Sequence, residues 1–294
     1  MRRFLILGLI LALCGGALYY SKRHKQEARV GPEAVLNALA DTQREFSRLP
    51  ASMTRLSDQE EIRIGDALAE RYSQRYVSQD TAMQDYVTNV GRIVAGRARR
   101  KLDYKFHYVS DRGLVNAFAL PGGHVFIGEG LIKLMESEDE LASVLGHEIE
   151  HIDNYHCAEL YQLKARTRDL PLAELLAIPV ELFQAGYSKE QELEADRDGT
   201  YLAVLAGYSP QGAVHMFETF SKLQQEYILK AKSPDQELSQ VTIAGIFGYF
   251  RSHPLPNERI NQIEQMIAAR NWSAQPEKAL RLRPAAIKIS AGNR

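Results

Sequence analysis

Residues 137–154 read Ser-Glu-Asp-Glu-Leu-Ala-Ser-Val-Leu-Gly-His-Glu-Ile-Glu-His-Ile-Asp-Asn, and this stretch decides how the rest of the chain is interpreted. Ser137 followed three residues later by Glu140 is typical of a capping box, which marks the start of a helix. Apolar residues then recur at helical spacing, so the pattern predicts a helix with one stripe in the core. Those apolar positions are Leu141, Val144, Leu145, Ile149 and Ile152.

The same stretch contains the pattern His-Glu-x-x-His. His147 and His151 are four positions apart, so on a helix both imidazoles project from one face. Two such nitrogen donors suit a tetrahedral zinc ion, and Glu148 is close enough to take a proton from a water molecule activated by that ion. The pattern therefore predicts one Zn²⁺ per chain and peptide-bond hydrolysis with Glu148 as the base.

Zinc needs a third protein ligand, and a later acidic segment offers candidates. Glu192 and Asp196 are four positions apart on a predicted helix, with Glu194 between them. Glu192 can bind the metal while Asp196 accepts a hydrogen bond from a ligand histidine, a contact that orients such ligands in metal sites.

The remaining pattern predicts a mostly helical α+β fold with a small sheet beside the metal-binding helix. Ser57 with Glu60 forms another capping box, which opens a helix toward Tyr76. Further helices are predicted at about 33–49, 81–98, 130–135, 188–206, 210–229 and 257–269, and another at 172–183. Short strands are predicted at 105–110, 116–120 and 124–127, with a Pro-Gly-Gly turn before the third.

The N-terminus carries a separate signal. Arg2 and Arg3 precede an apolar run from Phe4 to Tyr20, and as a helix these roughly 17 residues would span about 25 Å. An uncleaved membrane anchor, a cleaved secretory signal and a lipoprotein anchored at Cys14 are all compatible with it. Basic residues flank both sides of the run, so the charge balance leaves the membrane side open.

Composition sets outer limits on function. The 294 residues carry a formal net charge of −1, so nothing argues for nucleic acid as a partner. Besides Cys14 only Cys157 is present, so the body contains no internal disulfide, and Cys157 is expected to be a small buried residue. We divide the chain into an anchor or signal (1–21), a linker with one helix (22–55), a metallopeptidase domain (56–271) and a basic tail (272–294).

Four more motifs accompany the histidine pattern. They are Asn-Ala-Phe-Ala-Leu-Pro-Gly-Gly at 116–123, Glu-x-x-Ala-Asp at 192–196, Ala-Gly-Tyr-Ser-Pro at 206–210 and Ser-His-Pro-Leu-Pro-Asn-Glu-Arg-Ile at 252–260. In this order, from about residue 56 to 267, the chain resembles the membrane-associated gluzincin metallopeptidases, which include HtpX, BepA and the CAAX prenyl endoproteases. Its layout is most similar to a BepA-like catalytic domain without tetratricopeptide repeats.

This resemblance implies a zincin-like fold and specific site roles. Glu192, rather than Glu194, would be the third ligand, with Asp196 as the hydrogen-bond partner of a ligand histidine. His253 would either displace the catalytic water from the metal or stabilise the oxyanion.

Substrate contacts follow from the same resemblance. The predicted strand with Asn116, Ala117, Phe118 and Ala119 would pair with an extended peptide through main-chain hydrogen bonds. His124, just after the glycine turn, is expected to line the cleft.

The resulting hypothesis is a zinc-dependent endopeptidase of proteins or peptides, acting in cell-envelope quality control. We expect it to be membrane-anchored through the N-terminal segment, periplasmic or a lipoprotein. The alternative is a non-proteolytic, metal-binding chaperone or interaction protein at the membrane. Glu150 is expected to point to solvent, and His156 to be a structural or surface residue.

Overall fold

Helices surround a short mixed sheet in the part of the chain that the computed structural model describes, residues 56–74, 76, 80–168, 180, 183, 186–230, 253, 257–272 and 276–284. In chain order the elements are α1 (Asp58–Ser73), α2 (Thr81–Ala95), β1 (Lys105–Val109), β2 (Ala117–Leu120), β3 (His124–Gly128), α3 (Glu129–Ile132), α4 (Glu138–Asp153), α5 (His156–Arg168), α6 (Lys189–Leu205), α7 (Gln211–Lys230) and α8 (Asn257–Ala269). The predicted α+β class is confirmed. The N-terminal apolar segment, the predicted helix at 33–49 and nearly all of that at 172–183 lie outside the described residues.

Both capping serines start their helices, but in different ways. At α1, Ser57 and Glu60 form the complete predicted box, in which each side chain accepts from the other residue's backbone N–H. At α4, Ser137 Oγ accepts from the Glu140 N–H at 3.2 Å, whereas the Glu140 carboxylate accepts from the Glu136 N–H at 3.0 Å. The second box is therefore only half formed.

The sheet has the order β1-β3-β2, which puts β2 at one edge. Strand β3 pairs in parallel with β1 and antiparallel with β2, with Phe118 opposite Phe126. The tight turn from β2 into β3 is a single 3-10 turn, Pro121–Gly123. Gly122 has φ of 76°, and a Cβ there would lie 2.5 Å from the Ile62 Cα, so only glycine fits.

Helix α4 forms the centre of the core. It packs against α2, α6, α7 and strand β2, and every one of its residues is buried, including those on the face that the periodicity assigned to solvent. A charged side chain on this helix consequently needs a protein partner, because burying an unpaired charge is strongly unfavourable.

A segment near the C-terminus, residues 276–284, lies along the start of α4. The Lys278 carbonyl accepts from the Glu138 N–H at 2.8 Å, and the Lys278 N–H donates to Asp139 at 2.6 Å. Ala279 and Ser137 form an isolated antiparallel bridge. This part of the predicted basic, irregular tail thus adds hydrogen bonds to the first turn of the central helix.

Candidate metal centre

The two histidines of the central helix face the same point. His147 and His151 lie on α4, both are buried, and their Nε2 atoms are 3.0 Å apart. Their rings are nearly perpendicular, with centroids 4.6 Å apart. Two imidazole nitrogens at this distance repel each other through their lone pairs unless a proton or a cation lies between them.

Helix α6 approaches this face of α4 unusually closely. Gly146 and Gly199 face each other where the helices cross, and a Cβ on Gly146 would lie 2.6 Å from the Gly199 carbonyl oxygen. A Cβ on Gly199 would lie 2.6 Å from the His147 backbone nitrogen. Two residues without side chains therefore allow the acidic residues of α6 to reach the imidazoles of α4.

Glu192 lies between the two histidines. Its Oε2 is 3.6 Å from His147 Nε2, and its Oε1 is 3.6 Å from His151 Nε2. Burial alone would raise the pKa of Glu192, but His253 and Arg259 outweigh it and lower the pKa. The residue is therefore a buried carboxylate aimed at the point where the two imidazoles converge.

Asp196 lies one turn further along α6 and contacts the outer nitrogen of the first histidine. Its Oδ1 is 2.9 Å from His147 Nδ1, while His147 Nε2 faces the centre. This is the arrangement in which a carboxylate fixes the orientation and tautomer of a metal-binding imidazole.

A buried arginine contacts the carboxylates of Glu192 and Asp196 on α6. Arg259, on α8, donates through Nη2 to Asp196 Oδ1 at 2.6 Å, and the same nitrogen is 3.3 Å from Glu192 Oε2. Its guanidinium also lies over the Phe217 ring at 4.7 Å. Sequence reasoning identified this arginine only as part of a motif. Arg259 lies 63 positions along the chain from Asp196, so no local sequence pattern linked the two residues.

Glu148 is buried beside the histidines, and neither of its carboxylate oxygens has a hydrogen-bond partner in the described part of the chain. Burial raises the pKa of this carboxyl. Burying a carboxyl group without hydrogen bonds is costly, so Glu148 does not contribute to stability in this position.

His253 completes the group from a loop position. Its Nδ1 lies 3.0 Å from Glu192 Oε2 and 3.2 Å from His147 Nε2, and its Nε2 lies 3.6 Å from Glu148 Oε1. Burial alone would lower the pKa of His253, but the Glu192 charge outweighs it and raises the pKa. The Glu192 carboxylate thus stabilises a positive charge at the position of the His253 ring.

These groups could hold a metal ion. One donor atom from each of His147, His151, Glu192 and His253 lies within 4.8 Å of the other three. Three buried carboxyl groups, those of Glu148, Glu192 and Asp196, lie beside one buried guanidinium, that of Arg259. A bound cation would relieve the cost of burying these carboxyl groups together.

One interpretation of a side chain around the motif was wrong. Glu150 does not point to solvent. It is 2% exposed and lies 3.2 Å from Arg99 Nη2, and burial, followed by the charge of Asp153, raises its pKa to about 8. Of the two interpretations of His156, structural or surface, its burial fits the first, and its Nδ1 contacts His151 Nδ1 at 3.0 Å. Periodicity could not reveal these burials, because the segments that cover α4 come from distant parts of the chain.

Tyr187 is a neighbour of the centre that the sequence did not indicate. Its ring stacks on His151 with centroids 3.8 Å apart and planes 17° from parallel. Its hydroxyl is 3.1 Å from Cys157 Sγ, and Cys157 is buried as expected.

The predicted substrate residues separate into two places. Ala117, Phe118 and Ala119 lie on the edge strand β2, which packs against α4, and Asn116 precedes it. His124 belongs to a different group of contacts, with its Nδ1 3.0 Å from His107 and its Nε2 3.0 Å from Asp66. None of these contacts joins His124 to the four donors.

A family model, "Peptidase family M48", matches residues 78–267, a span that includes every residue of the centre. The chain belongs to peptidase family M48. Members of this family are metal-dependent peptidases, and the buried His/Glu group of this M48 chain is compatible with that requirement.

The M48 chain is similar to several curated proteins. It is 32% identical over 232 residues to a Vibrio cholerae protein and 27% identical over 203 residues to a Yersinia pestis protein, both of which carry the name beta-barrel assembly-enhancing protease. These matches cover 71% and 62% of the chain. It is also 34% identical over 125 residues, 39% of the chain, to mitochondrial metalloendopeptidase OMA1 of Arabidopsis thaliana.

The M48 chain spans less than half the length of these relatives, 44%, 38% and 25% respectively. Among the helices of the described ranges, none has the combination of length and apolar character that a membrane span requires.

Proposed function

We propose that this M48 chain is a zinc-dependent endopeptidase. His147, His151 and Glu192 would hold one zinc ion, and Glu148 would act as the base. The observation that carries the proposal is the convergence of these donors, with that of His253, within 4.8 Å of one another inside the region that matches the family.

The chemistry of the donors favours zinc. Two imidazoles and one carboxylate are a common ligand set of catalytic zinc, which keeps a further position for water or substrate. Magnesium and calcium prefer oxygen ligands throughout, and thiolates, which favour copper(I) or iron–sulfur clusters, are absent from the donor set.

Glu148 is the group that moves a proton in this proposal. A bound metal would polarise the peptide carbonyl and lower the pKa of the attacking water. Glu148 would take a proton from that water as the water oxygen attacks the peptide carbonyl carbon, and would deliver it to the amide nitrogen as the C–N bond breaks. Its two oxygens have no other hydrogen-bond partner in the described residues, so both are free to do so.

Asp196 and Arg259 would keep the ligands in place. Asp196 Oδ1 lies 2.9 Å from His147 Nδ1 and would accept its proton, so that Nε2 would present its lone pair to the metal. Arg259 holds Asp196 and Glu192 against their mutual repulsion.

Protein substrates would bind as extended strands along β2. An edge strand recognises a peptide through main-chain hydrogen bonds, which tolerates many sequences and suits an enzyme of protein quality control. The names of the bacterial relatives support a role in the cell envelope. The apolar N-terminal segment would bring the chain there as an anchor, a signal or a lipoprotein precursor.

His253 would regulate this centre. Its Nδ1 lies among the other donors, so it would occupy the position that a water molecule needs, and the enzyme would be latent until the residue moves. His253→Ala is then expected to raise peptidase activity. A fall in activity would instead assign His253 to stabilisation of the oxyanion.

The function is tested on the full-length protein, wild type beside Glu148→Gln. We expect about one zinc per chain in both by metal analysis, and casein cleavage only in the wild type or in His253→Ala. Glu148→Gln is isosteric, so a loss of cleavage with zinc retained isolates the proton transfer. Equal cleavage by Glu148→Gln, or no bound zinc in the wild type, would contradict the proposal. Zinc without cleavage even in His253→Ala would favour the metal-binding chaperone.

A further inference from the structure

The outer nitrogen of the second histidine has an unusual partner. His147 Nδ1 faces a carboxylate, but His151 Nδ1 faces another imidazole, that of His156, at 3.0 Å. Both rings are almost completely buried, so water does not offer either nitrogen an alternative partner.

The backbone is bent to make this contact. Helix α4 ends at Asp153, and Tyr155 adopts φ of 64° before α5 begins at His156. A residue other than glycine in this left-handed region costs on the order of 1 kcal/mol. The Tyr155 ring lies 4.0 Å beneath the Arg100 guanidinium, which helps to hold the turn. The reversal brings the His156 ring back against the ring of His151.

The proton positions in this chain of rings follow from the contacts. If His151 binds a metal through Nε2, its one ring proton is on Nδ1, which must donate. His156 Nδ1 must then accept, so the proton of the neutral His156 ring is on Nε2. That nitrogen lies 3.4 Å from Glu194 Oε2, a carboxylate that can only accept.

Three acids of α6 therefore have three separate tasks. Glu192 faces the centre and Asp196 contacts His147, while Glu194, on another face of the helix, reaches His156. The Glu194 side chain remains 42% exposed, so the series of contacts from His151 through His156 to Glu194 ends at the protein surface.

We propose that His156 is a positioning residue that fixes the tautomer and orientation of His151, with Glu194 fixing His156 in turn. This inference rests on the proposed function, because it assumes a metal at His151 Nε2. Tyr187 stacks on the His151 ring and limits its rotation, so the hydrogen bond that His151 Nδ1–H donates to His156 selects among few orientations.

The first test measures Zn²⁺ affinity of the full-length protein by competition with a chromophoric chelator. His156→Leu removes the acceptor, and we expect binding about 10–100-fold weaker, the usual effect of losing such a partner. His156→Asn places Oδ1 near the former Nδ1 and should restore affinity to within about threefold of wild type, because one acceptor replaces another. Glu194→Gln, at an exposed position, should give a smaller loss.

These variants separate hydrogen bonding from packing. If His156 served only to fill space, the apolar leucine would be tolerated better than the polar asparagine, and that order would overturn the inference. His215→Leu and His215→Asn are matched controls, since His215 also contacts a carboxylate, Glu277 at 2.6 Å, but is 40% exposed and belongs to no metal donor set. Both controls should bind zinc as the wild type does.

The second test needs no variant and so does not depend on folding of a mutant. Nitrogen-15 NMR of the zinc-loaded, histidine-labelled protein should find the ring proton of His151 on Nδ1 and that of His156 on Nε2. A His156 proton on Nδ1 would overturn the inference. A wild type that binds no zinc would contradict the proposed function, whereas tight binding unaffected by His156→Leu would contradict this inference alone.

Discussion

Two groups of histidines and acids in this chain contain similar residue types but direct their side-chain nitrogen and oxygen atoms differently. The first is the metal centre, formed by His147, His151, Glu192 and His253. The second, which we call the sheet pair, consists of two histidines and the aspartate that contacts one of them. His107 lies on β1, His124 begins β3, and Asp66 lies on α1. Both contain imidazoles about 3.0 Å from their neighbours.

The nitrogens point differently in the two groups. In the sheet pair, His124 uses Nδ1 for His107 and Nε2 for Asp66, so the contacts form a line and no point receives three donors. In the metal centre, four residues direct one donor atom each at a common space. Convergence, rather than the number of histidines, distinguishes the candidate site.

Charge differs as well. Asp66 is 48% exposed and its carboxylate is balanced by Lys105 at 2.6 Å. At the metal centre three buried carboxylates face a single buried guanidinium. Buried carboxyl groups at converging donors are suited to hold a cation, whereas a balanced ion pair at the surface is ordinary.

The largest expected contrast is in metal binding. His147→Ala or His151→Ala removes a ligand and should weaken zinc binding by more than the roughly 100-fold that loss of an outer partner causes. His124→Ala removes a histidine whose contacts lie elsewhere and should leave one zinc per chain. Metal analysis after dialysis measures both, and loss of zinc in His124→Ala would end the distinction between the groups.

The next contrast is in stability and concerns Arg259. Arg259→Met leaves two carboxylates buried without their cation, so unfolding free energy should fall by about 3–5 kcal/mol. Urea denaturation should show a smaller fall with zinc present, because the metal supplies positive charge. Arg197→Met breaks the exposed pair with Asp198 and serves as the control, with an expected loss under about 1 kcal/mol. Similar losses in both variants would show that the buried charges are not coupled.

A matched pair of aspartates gives a moderate effect. Asp196→Asn weakens the acceptor of His147 Nδ1–H and should lower zinc affinity about 10–100-fold. Asp66→Asn makes the same chemical change at the sheet pair and should leave zinc affinity unchanged. Chelator competition on the two proteins decides the matter, and equal affinities would remove Asp196 from the site.

The smallest expected effect is on acid stability of the sheet pair. Burial first, then the charges of His124 and Lys105, lower the pKa of His107 to about 4, below the ordinary value of 6.5. Between about pH 6.5 and 4, His107 is therefore protonated in the unfolded chain but not in the folded chain. The free energy of unfolding falls as the pH drops through this range. His107→Gln should reduce that fall by on the order of 1 kcal/mol, less than the full shift because the ring is partly exposed. Urea titrations at pH 7 and 4.5 would detect it, and identical losses in both proteins would contradict it.

Local patterns predicted most of the fold. Ser57 and Glu60 start α1 as expected, and the helix predicted at 257–269 has the bounds of α8. Such signals act within one helical turn, so a sequence shows them directly. Helix α5 was not predicted, because it begins after Tyr155 in a left-handed conformation that no periodicity reveals.

The candidate site divides in the same way. The spacing of His147 and His151 placed both on one face, because that geometry is local. The partners Arg259, Tyr187 and His156 depend on how distant helices pack or on one backbone reversal, so the sequence pointed to them weakly or not at all. The burial of Glu150 was missed for the same reason.

The segment at 276–284, which lies along the start of α4, has a consequence for the order of synthesis. Asp139, in the first turn of the helix that bears His147, accepts from a backbone N–H 139 positions later, at Lys278. His253 and Arg259 also follow the other members of the centre by many residues. A ribosome must therefore synthesise the chain at least as far as Lys278 before this set of contacts can form. The first turn of the central helix thus gains its contacts with residues 276–284 only late in synthesis.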